Sequence, residues 1–316
     1  MSLPSPKPKA WRGSEFQNPA EWCVNLDKAA LAELDAALLG VAGETPNLTL
    51  AANAIREELS HGRGFVVIRG LPLGRYTEDE AKAAYAALCS KIGKVIPQTL
   101  RGDLLYSVRD EGLTLDRDYG KAGVRTSKTR GAFQFHTDSP SRLAGYTPDF
   151  VGLLILRTAM SGGESALVNG YEIINTLQAE RPDVLARLYQ PFWVDRRAEL
   201  PPGEEPVLPT PVLTRRDAAL VVRYLRFYIT KGHEWKGEPL SSTETEALDV
   251  FDEIMARPGV ALEIAPQEAD IQLINNTFLL HSRTEYQDFP EPERRRHYIR
   301  IWLADSAEDQ RADRAA

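Results

Sequence analysis

Two histidines and one aspartate in this chain have the types and positions of a mononuclear metal site. His136 and Asp138 stand two residues apart in His136-Thr137-Asp138, and His281 follows in a later apolar stretch. Alternate residues of a strand point to the same side, so His136 and Asp138 can reach one ion together. Two imidazoles and a carboxylate hold divalent iron on one face and leave the other open. The pattern predicts a dioxygen-activating centre with His136, Asp138 and His281 as catalytic metal ligands.

A second functional pattern lies near the C-terminus, in the stretch 294–303. As a strand, this stretch places four side chains suited to anion binding on one face: Arg296, Tyr298, Arg300 and Trp302. Arginine pairs with a carboxylate through two parallel hydrogen bonds, so this face predicts an anion-binding wall. A charged edge strand with solvated arginines explains the pattern equally well.

The elements that position these residues are a helical N-terminal region and, after it, short strands separated by long insertions. Apolar spacing predicts helices over 27–39, 48–59, 77–92, 171–177, 183–189 and 242–256. Thr77 and Glu80 form the capping-box pattern that begins the third of them. Strands are predicted over 64–70, 104–108, 150–156, 207–229, 260–264, 271–280 and 298–303. The order favours an α+β fold, a double-stranded β-helix (jelly roll) core with flanking helices.

The domain organisation follows from local composition. Residues 1–20 are rich in proline and polar groups and are expected to form an N-terminal arm, with a single domain over 21–316. Residues 110–130 are polar and lack periodicity, immediately before the His136 motif, where a lid is useful. A surface insertion without a functional role explains that loop equally well.

Composition narrows the class of protein. A charge of −7 argues against nucleic acid as a partner, which needs a basic footprint. No apolar run approaches the roughly 20 residues that span a bilayer, so no membrane partner is expected. Two cysteines make no disulfide framework, and a reducing, cytoplasmic location is expected. A homo-oligomer is compatible with the sequence.

Ordered motifs from about residue 60 to 303 resemble the taurine dioxygenase-like (TauD/TfdA) family of iron(II)- and 2-oxoglutarate-dependent oxygenases. The motifs occur in the same order in this chain as in the family: the strand 64–70, His136-Thr137-Asp138, the turn 162–165, the segment 275–284 with His281, and Arg296 with Arg300. The resemblance implies Fe(II), 2-oxoglutarate and O2 as cofactors and cosubstrates. It implies that Arg296 pairs with the distal carboxylate of 2-oxoglutarate and that Ser165 donates a hydroxyl to it.

The resemblance leaves the substrate open. Arg300 would face either the substrate or the cosubstrate, and it suggests a small anionic substrate. The longer spacing from His281 to Arg296 argues against taurine. Arg223 is a weaker candidate for substrate contact. Phe135 is a candidate for the pocket wall if the strand bends before His136, because a regular strand puts it in the core.

The implied reaction is hydroxylation of an unactivated carbon with release of succinate and CO2. The carboxylate of Asp138 favours hydroxylation, since related halogenases lack it, while desaturation and ring closure stay open. Two alternatives also remain: a jelly-roll metal-binding protein that is no oxygenase, and a catalytically silent family member acting as a small-molecule binding module. The first alternative has no need for Arg296 and Ser165.

Overall fold

The computed structural model describes residues 9–41, 43–114, 125–140, 147–196, 200, 203–216 and 219–305. Its helices are α1 (Lys28–Leu38), α2 (Pro46–Ser60), α3 (Glu78–Ile92), α4 (Gly170–Glu180), α5 (Pro182–Leu188), α6 (Arg226–Lys236) and α7 (Ser242–Ala256). Among these described helices, none is long and apolar enough to cross a membrane.

The strands, in chain order, are β1 (Cys23–Asn25), β2 (Phe65–Arg69), β3 (Lys94–Ile96), β4 (Leu105–Val108), β5 (Phe133–His136), β6 (Phe150–Arg157), β7 (Ser161–Gly162), β8 (Ser165–Asn169), β9 (Pro191–Asp195), β10 (Val207–Pro211), β11 (Leu213–Arg216), β12 (Ala219–Val222), β13 (Leu262–Ile264), β14 (Ile271–Asn275), β15 (Leu279–Arg283), β16 (Tyr286–Gln287) and β17 (His297–Ala304). The predicted strand 207–229 is wrong over its last residues, which begin α6. The predicted strand 271–280 is divided by a turn into β14 and β15.

Two sheets form the core. The major sheet runs β1-β2-β14-β6-β17-β3, with β4 also paired to β17, and the minor sheet runs β13-β8-β15-β5. The turn after β14 carries the chain from the major sheet to the minor sheet, so the two halves of the predicted strand 271–280 lie in different layers. This pair of sheets with helices around it is the predicted double-stranded β-helix in an α+β fold.

Strand β17 shows how its alternating residues divide between two sides of the major sheet. Ile299, Ile301 and Leu303 pack with α1, α2 and α3 in one apolar cluster. Trp302 belongs to the other cluster, which contains residues of the minor sheet. Arg300, which alternates with these three residues on the side of Trp302, therefore faces the space between the sheets, as the alternation predicted.

The predicted N-terminal arm contacts the core over its described part. Trp11 is 3% exposed, and its indole nitrogen donates to the carbonyl of Arg63 at 2.9 Å. The amide of Gly13 donates to the carbonyl of Val260 at 3.0 Å. The division into an arm and one domain stays a prediction.

The predicted lid loop lies partly outside the described residues, which omit 115–124. Its two ends meet: the amide of Glu111 donates to the carbonyl of Lys128 at 3.0 Å, and their side chains form an ion pair at 3.0 Å. The role of this loop as a lid stays a prediction.

Candidate metal centre and its two cavities

The three predicted ligands come together between the sheets. His136 ends β5, and His281 lies directly opposite it on β15. The Nε2 atoms of His136 and His281 lie 3.6 and 3.9 Å from Oδ1 of Asp138. Two ligands at about 2.0–2.2 Å from one ion are at most about 4.4 Å apart, so both distances fit a shared metal. Two imidazoles and one carboxylate are also the donor set that suits Fe(II).

A β-bulge before His136 reshapes the wall of this site. Between the pairs His281 with His136 and Arg283 with Phe133, the register shifts by one residue. The extra residue turns Phe133 toward the site, where its ring stacks on His136 with centroids 3.6 Å apart. Phe135, the predicted wall residue, is half-buried against the apolar core instead. The strand does bend before His136, but the bend places Phe133, and not Phe135, beside the metal ligands.

Asp138 is held at both its backbone and its carboxylate. Its amide donates to Oδ1 of Asn276 at 2.7 Å, and Nδ2 of Asn276 donates to its carbonyl at 3.1 Å. Oδ2 accepts from Nε1 of Trp302 at 2.8 Å, while Nη1 of Arg300 lies 3.1 Å from Oδ2 and donates to Oδ1 at 3.3 Å. The indole anchors Oδ2, and Oδ1 is the oxygen that faces the two histidines.

The electrostatics keep Asp138 ionised. Burial alone raises the pKa of this carboxyl, but the Arg300 guanidinium, then the neighbouring His136, outweigh burial and hold the pKa well below its usual range. A metal site needs this charged form, because carboxylate ligands bind deprotonated.

Both histidines present Nε2 to the proposed metal position. Nδ1 of His136 lies 2.8 Å from the carbonyl of Gln134, which places the proton on Nδ1 and the lone pair on Nε2. Burial, then the neighbouring His136, lowers the pKa of His281 to about 3. Within the described chain, Nδ1 of His281 has no hydrogen-bond partner. Asn275 does not orient this ring, since its Nδ2 donates to the carbonyl of Leu59.

A cavity on one side of the triad, the arginine cavity, carries the groups expected for 2-oxoglutarate. It is lined by Ser165, Gln272, Arg283 and Arg296 together with apolar side chains of both sheets. Arg296 is 3% exposed, and within the described residues its Nε and Nη1 have no hydrogen-bond partner. A buried guanidinium whose N–H groups lack acceptors is costly, so this cavity fits an anion.

Glycines shape the turn that leads to Ser165. A Cβ on Gly162 would lie 2.2 Å from the carbonyl oxygen of Glu285, and the residue has φ +75°. Gly163 lies beside Arg296, whose Nε would be 3.6 Å from a Cβ there. The two glycines let the chain pass close to β16 and to the guanidinium.

A second cavity, the hydroxyl cavity, opens on the other side of the triad. Its lining includes Thr126, Ser127, Ser139, Tyr228 and Arg125. Both cavities share five residues: Ser127, Phe133, His136, Asp138 and Arg300. The metal position therefore lies where the two cavities meet.

Gln98 fixes Arg300 at this junction and was missed from the sequence. It is fully buried, and its Nε2 donates to the carbonyls of Leu104 and Arg300, both at 2.9 Å. Its Oε1 accepts from Nε of Arg300 at 2.8 Å. Arg300 is thus held between Gln98 and Asp138 and lines both cavities, so the structure leaves its two predicted roles open. No local signal in the sequence marks Gln98.

Arg223 is not among the described residues that line either cavity. The next residue is the one that meets the metal motif: Tyr224 and Thr137 exchange two hydrogen bonds, at 2.9 and 3.0 Å. The described contacts give Arg223 no position from which it lines the site, and the chain that follows it supplies Leu225 and Tyr228 instead.

Two sheets of a double-stranded β-helix with a buried His-Asp-His set at their centre define the class of a mononuclear iron oxygenase. Over residues 28–302 the chain matches the model of the "Taurine catabolism dioxygenase TauD, TfdA family". The protein belongs to this family and is a 2-oxoglutarate-dependent oxygenase that uses Fe(II).

Two curated relatives match nearly the whole chain. FR-33289 synthase of Streptomyces rubellomurinus is 28% identical over 309 residues, which cover 93% of this chain and 88% of the relative. The taurine hydroxylase-like protein SAT17 of Stachybotrys chartarum is 28% identical, covering 92% of this chain and 77% of the relative.

Solved structures share the fold. An asparagine oxygenase bound to Fe(II), hydroxyasparagine and succinate aligns with TM-score 0.66 and 17% identity, over 92% of this chain and 96% of that one. The non-heme iron oxygenase OrfP, bound to iron and α-ketoglutaric acid, aligns with TM-score 0.64 and 16% identity over the same shares.

Proposed function

We propose that this oxygenase hydroxylates a carbon of a small anionic molecule, with His136, Asp138 and His281 holding the iron. The observation that carries the proposal is the position of the triad between two cavities. One cavity carries the buried arginines suited to a dicarboxylate, and the other is open to a separate small molecule.

The protein's own side chains have defined tasks in this proposal. Iron and 2-oxoglutarate supply the activation of dioxygen when both are bound. Arg296 binds the distal carboxylate of 2-oxoglutarate, and the hydroxyl of Ser165 lies on the same cavity wall. Trp302 and Arg300 orient Asp138, while Phe133 covers the His136 ring and excludes water from it.

The anionic character of the substrate rests on the hydroxyl cavity. Arg125 is 5% exposed and Arg300 is 8% exposed, and both line this cavity. Their guanidinium carbons lie 4.8 and 5.1 Å from the ring centre of Tyr106. Two buried guanidiniums on one wall favour a carboxylate, sulfonate or phosphonate group over a neutral or cationic one.

The relatives agree with a small-molecule substrate, since the asparagine oxygenase and OrfP structures contain hydroxylated amino acids. Under air with iron(II) and ascorbate, the protein is expected to convert 2-oxoglutarate to succinate, faster when small acids and amino acids are added. Stimulation only by neutral or cationic compounds would refute the anionic substrate. Absence of succinate under all conditions would refute an active oxygenase. A cytoplasmic location and the oligomeric state remain predictions.

A further inference from the structure

A second buried arginine lies in the arginine cavity, and neither the metal motif nor the predicted cosubstrate pair accounts for it. Arg283 is 8% exposed and lines the cavity, and its Nε has no hydrogen-bond partner in the described part of the chain. It lies two residues after His281 on β15, so it shares that face of the strand. Ser165 is directly opposite it on β8. The anion pocket therefore has two cationic walls.

The two guanidiniums are close enough to repel each other. Arg283 and Arg296 each lie 4.9 Å from the ring centre of Tyr286, and Arg296 lies 3.6 Å from that of Tyr298. Within the described residues, neither arginine forms an ion pair with a carboxylate. Two buried like charges are stabilised when an anion enters between them.

Arg283 also reaches the chain that precedes the metal motif. Its Nη2 donates to the carbonyl of Thr129 at 3.0 Å and to that of Gly131. Thr129 follows the short turn Thr126–Lys128, whose Thr126 and Ser127 line the hydroxyl cavity. One guanidinium thus touches the pocket for the cosubstrate and the segment that forms a wall of the other cavity.

We propose that Arg283 is a positioning residue with two contacts. Its Nε donates a hydrogen bond to the distal carboxylate of 2-oxoglutarate, and its Nη2 holds the segment 126–131. The inference rests on the proposed cosubstrate role of the arginine cavity. Cosubstrate binding completes the hydrogen bonds of Arg283 and so fixes the wall of the hydroxyl cavity before the second molecule binds. A fixed wall lowers the conformational cost of that second binding step.

The test compares two keto acids on the same protein. The dissociation constants of 2-oxoglutarate and of 2-oxobutanoate, which lacks the distal carboxylate, are measured anaerobically with Fe(II) from the visible charge-transfer band. The ratio of the two constants isolates the distal carboxylate and cancels any general loss of fold in the variant. R283Q and R283K are each expected to reduce the preference for 2-oxoglutarate by about tenfold or more, the size of a charge-assisted hydrogen bond.

R296Q and R294Q serve as references. R296Q is expected to reduce the same ratio. R294Q is expected to leave the ratio unchanged, because Arg294 is a surface arginine paired with Glu291. A ratio unchanged in R283Q but reduced in R296Q overturns the role of Arg283 alone. A ratio unchanged in R296Q overturns the proposed cosubstrate pocket itself.

Hydrogen exchange tests the second half of the inference. In the wild-type protein, 2-oxoglutarate is expected to slow exchange of the amides in 126–131, and R283K is expected to lose most of this protection at saturating cosubstrate. Equal protection in the wild-type protein and R283K overturns the link to this segment.

Discussion

Trp302→Phe tests how much the proposed metal site depends on the groups behind its carboxylate. The change removes one indole N–H, which donates to Oδ2 of Asp138 at 2.8 Å, and leaves an aromatic ring in the core. Trp302 is 2% exposed, so no bulk water replaces the lost donor. Arg300 remains beside both carboxylate oxygens, 3.1 Å from Oδ2 and 3.3 Å from Oδ1, and keeps Asp138 ionised.

The expected loss of metal affinity follows from the kind of hydrogen bond that is removed. A hydrogen bond to a charged group contributes about 1.5–3 kcal/mol, and loss of a group that orients a metal ligand typically costs 10–100-fold in affinity. Trp302→Phe is therefore expected to weaken divalent metal binding by about 10–100-fold. Part of any loss of unfolding free energy comes from the smaller ring and is measured separately by urea denaturation.

The assay is an anaerobic calorimetric titration with Fe(II), repeated with Mn(II) as an air-stable ion. Trp235→Phe is the matched control, because Trp235 is 63% exposed and far from the described contacts of Asp138. The control is expected to bind metal as the wild-type protein does. Equal affinity in the Trp302 variant would refute the argument that the indole orients this ligand.

Three further predictions concern the ring that stacks on His136, the glycine turn before Ser165 and the pH dependence of stability. Phe133→Leu should weaken metal binding by about 2–10-fold, the size of a lost stack on His136, while Phe135→Leu should change only the unfolding free energy. Gly162→Ala should destabilise by about 2 kcal/mol or more in urea, because its Cβ meets a carbonyl, whereas Gly74→Ala, which has open space, should not. Burial lowers the pKa of His297 to about 4, so the folded state binds fewer protons than the unfolded state from about pH 6.5 down to about 4. Stability should fall by no more than about 2 kcal/mol between pH 7.5 and pH 5, and His297→Gln, compared by urea midpoints at those two pH values, should remove that fall.

The metal site was readable from the sequence because its signal is local. A spacing of two residues on a strand fixes a shared face, so His136 and Asp138 could be paired before any fold was known. The distant His281 was chosen because it lies in an apolar strand-like stretch that can supply a third ligand, and the resemblance to a family supported that choice, since nothing in the spacing of 143 residues fixes its direction. The same alternation places Arg283 on the face of His281, but the sequence analysis identified only His281 as a site residue.

Other features depend on tertiary structure that the sequence does not display. The bulge that turns Phe133 toward His136 is a register shift between two strands, and regular alternation, which places Phe133 and Phe135 both opposite His136, does not display it. Helix α6 begins with aromatic and β-branched residues that favour strands. It forms because it packs closely on β9, where a Cβ on Gly232 would lie 2.3 Å from the carbonyl of Trp193.

The most direct test of the central claim is an anaerobic titration of the protein with Fe(II) followed by 2-oxoglutarate, recorded in the visible range. The proposed site predicts one iron per chain and a charge-transfer band that develops only when the keto acid is added. His281→Ala and Asp138→Ala are expected to lose the band. Iron binding that survives the loss of these ligands, or a saturated iron protein that gives no band with 2-oxoglutarate, would contradict the assignment.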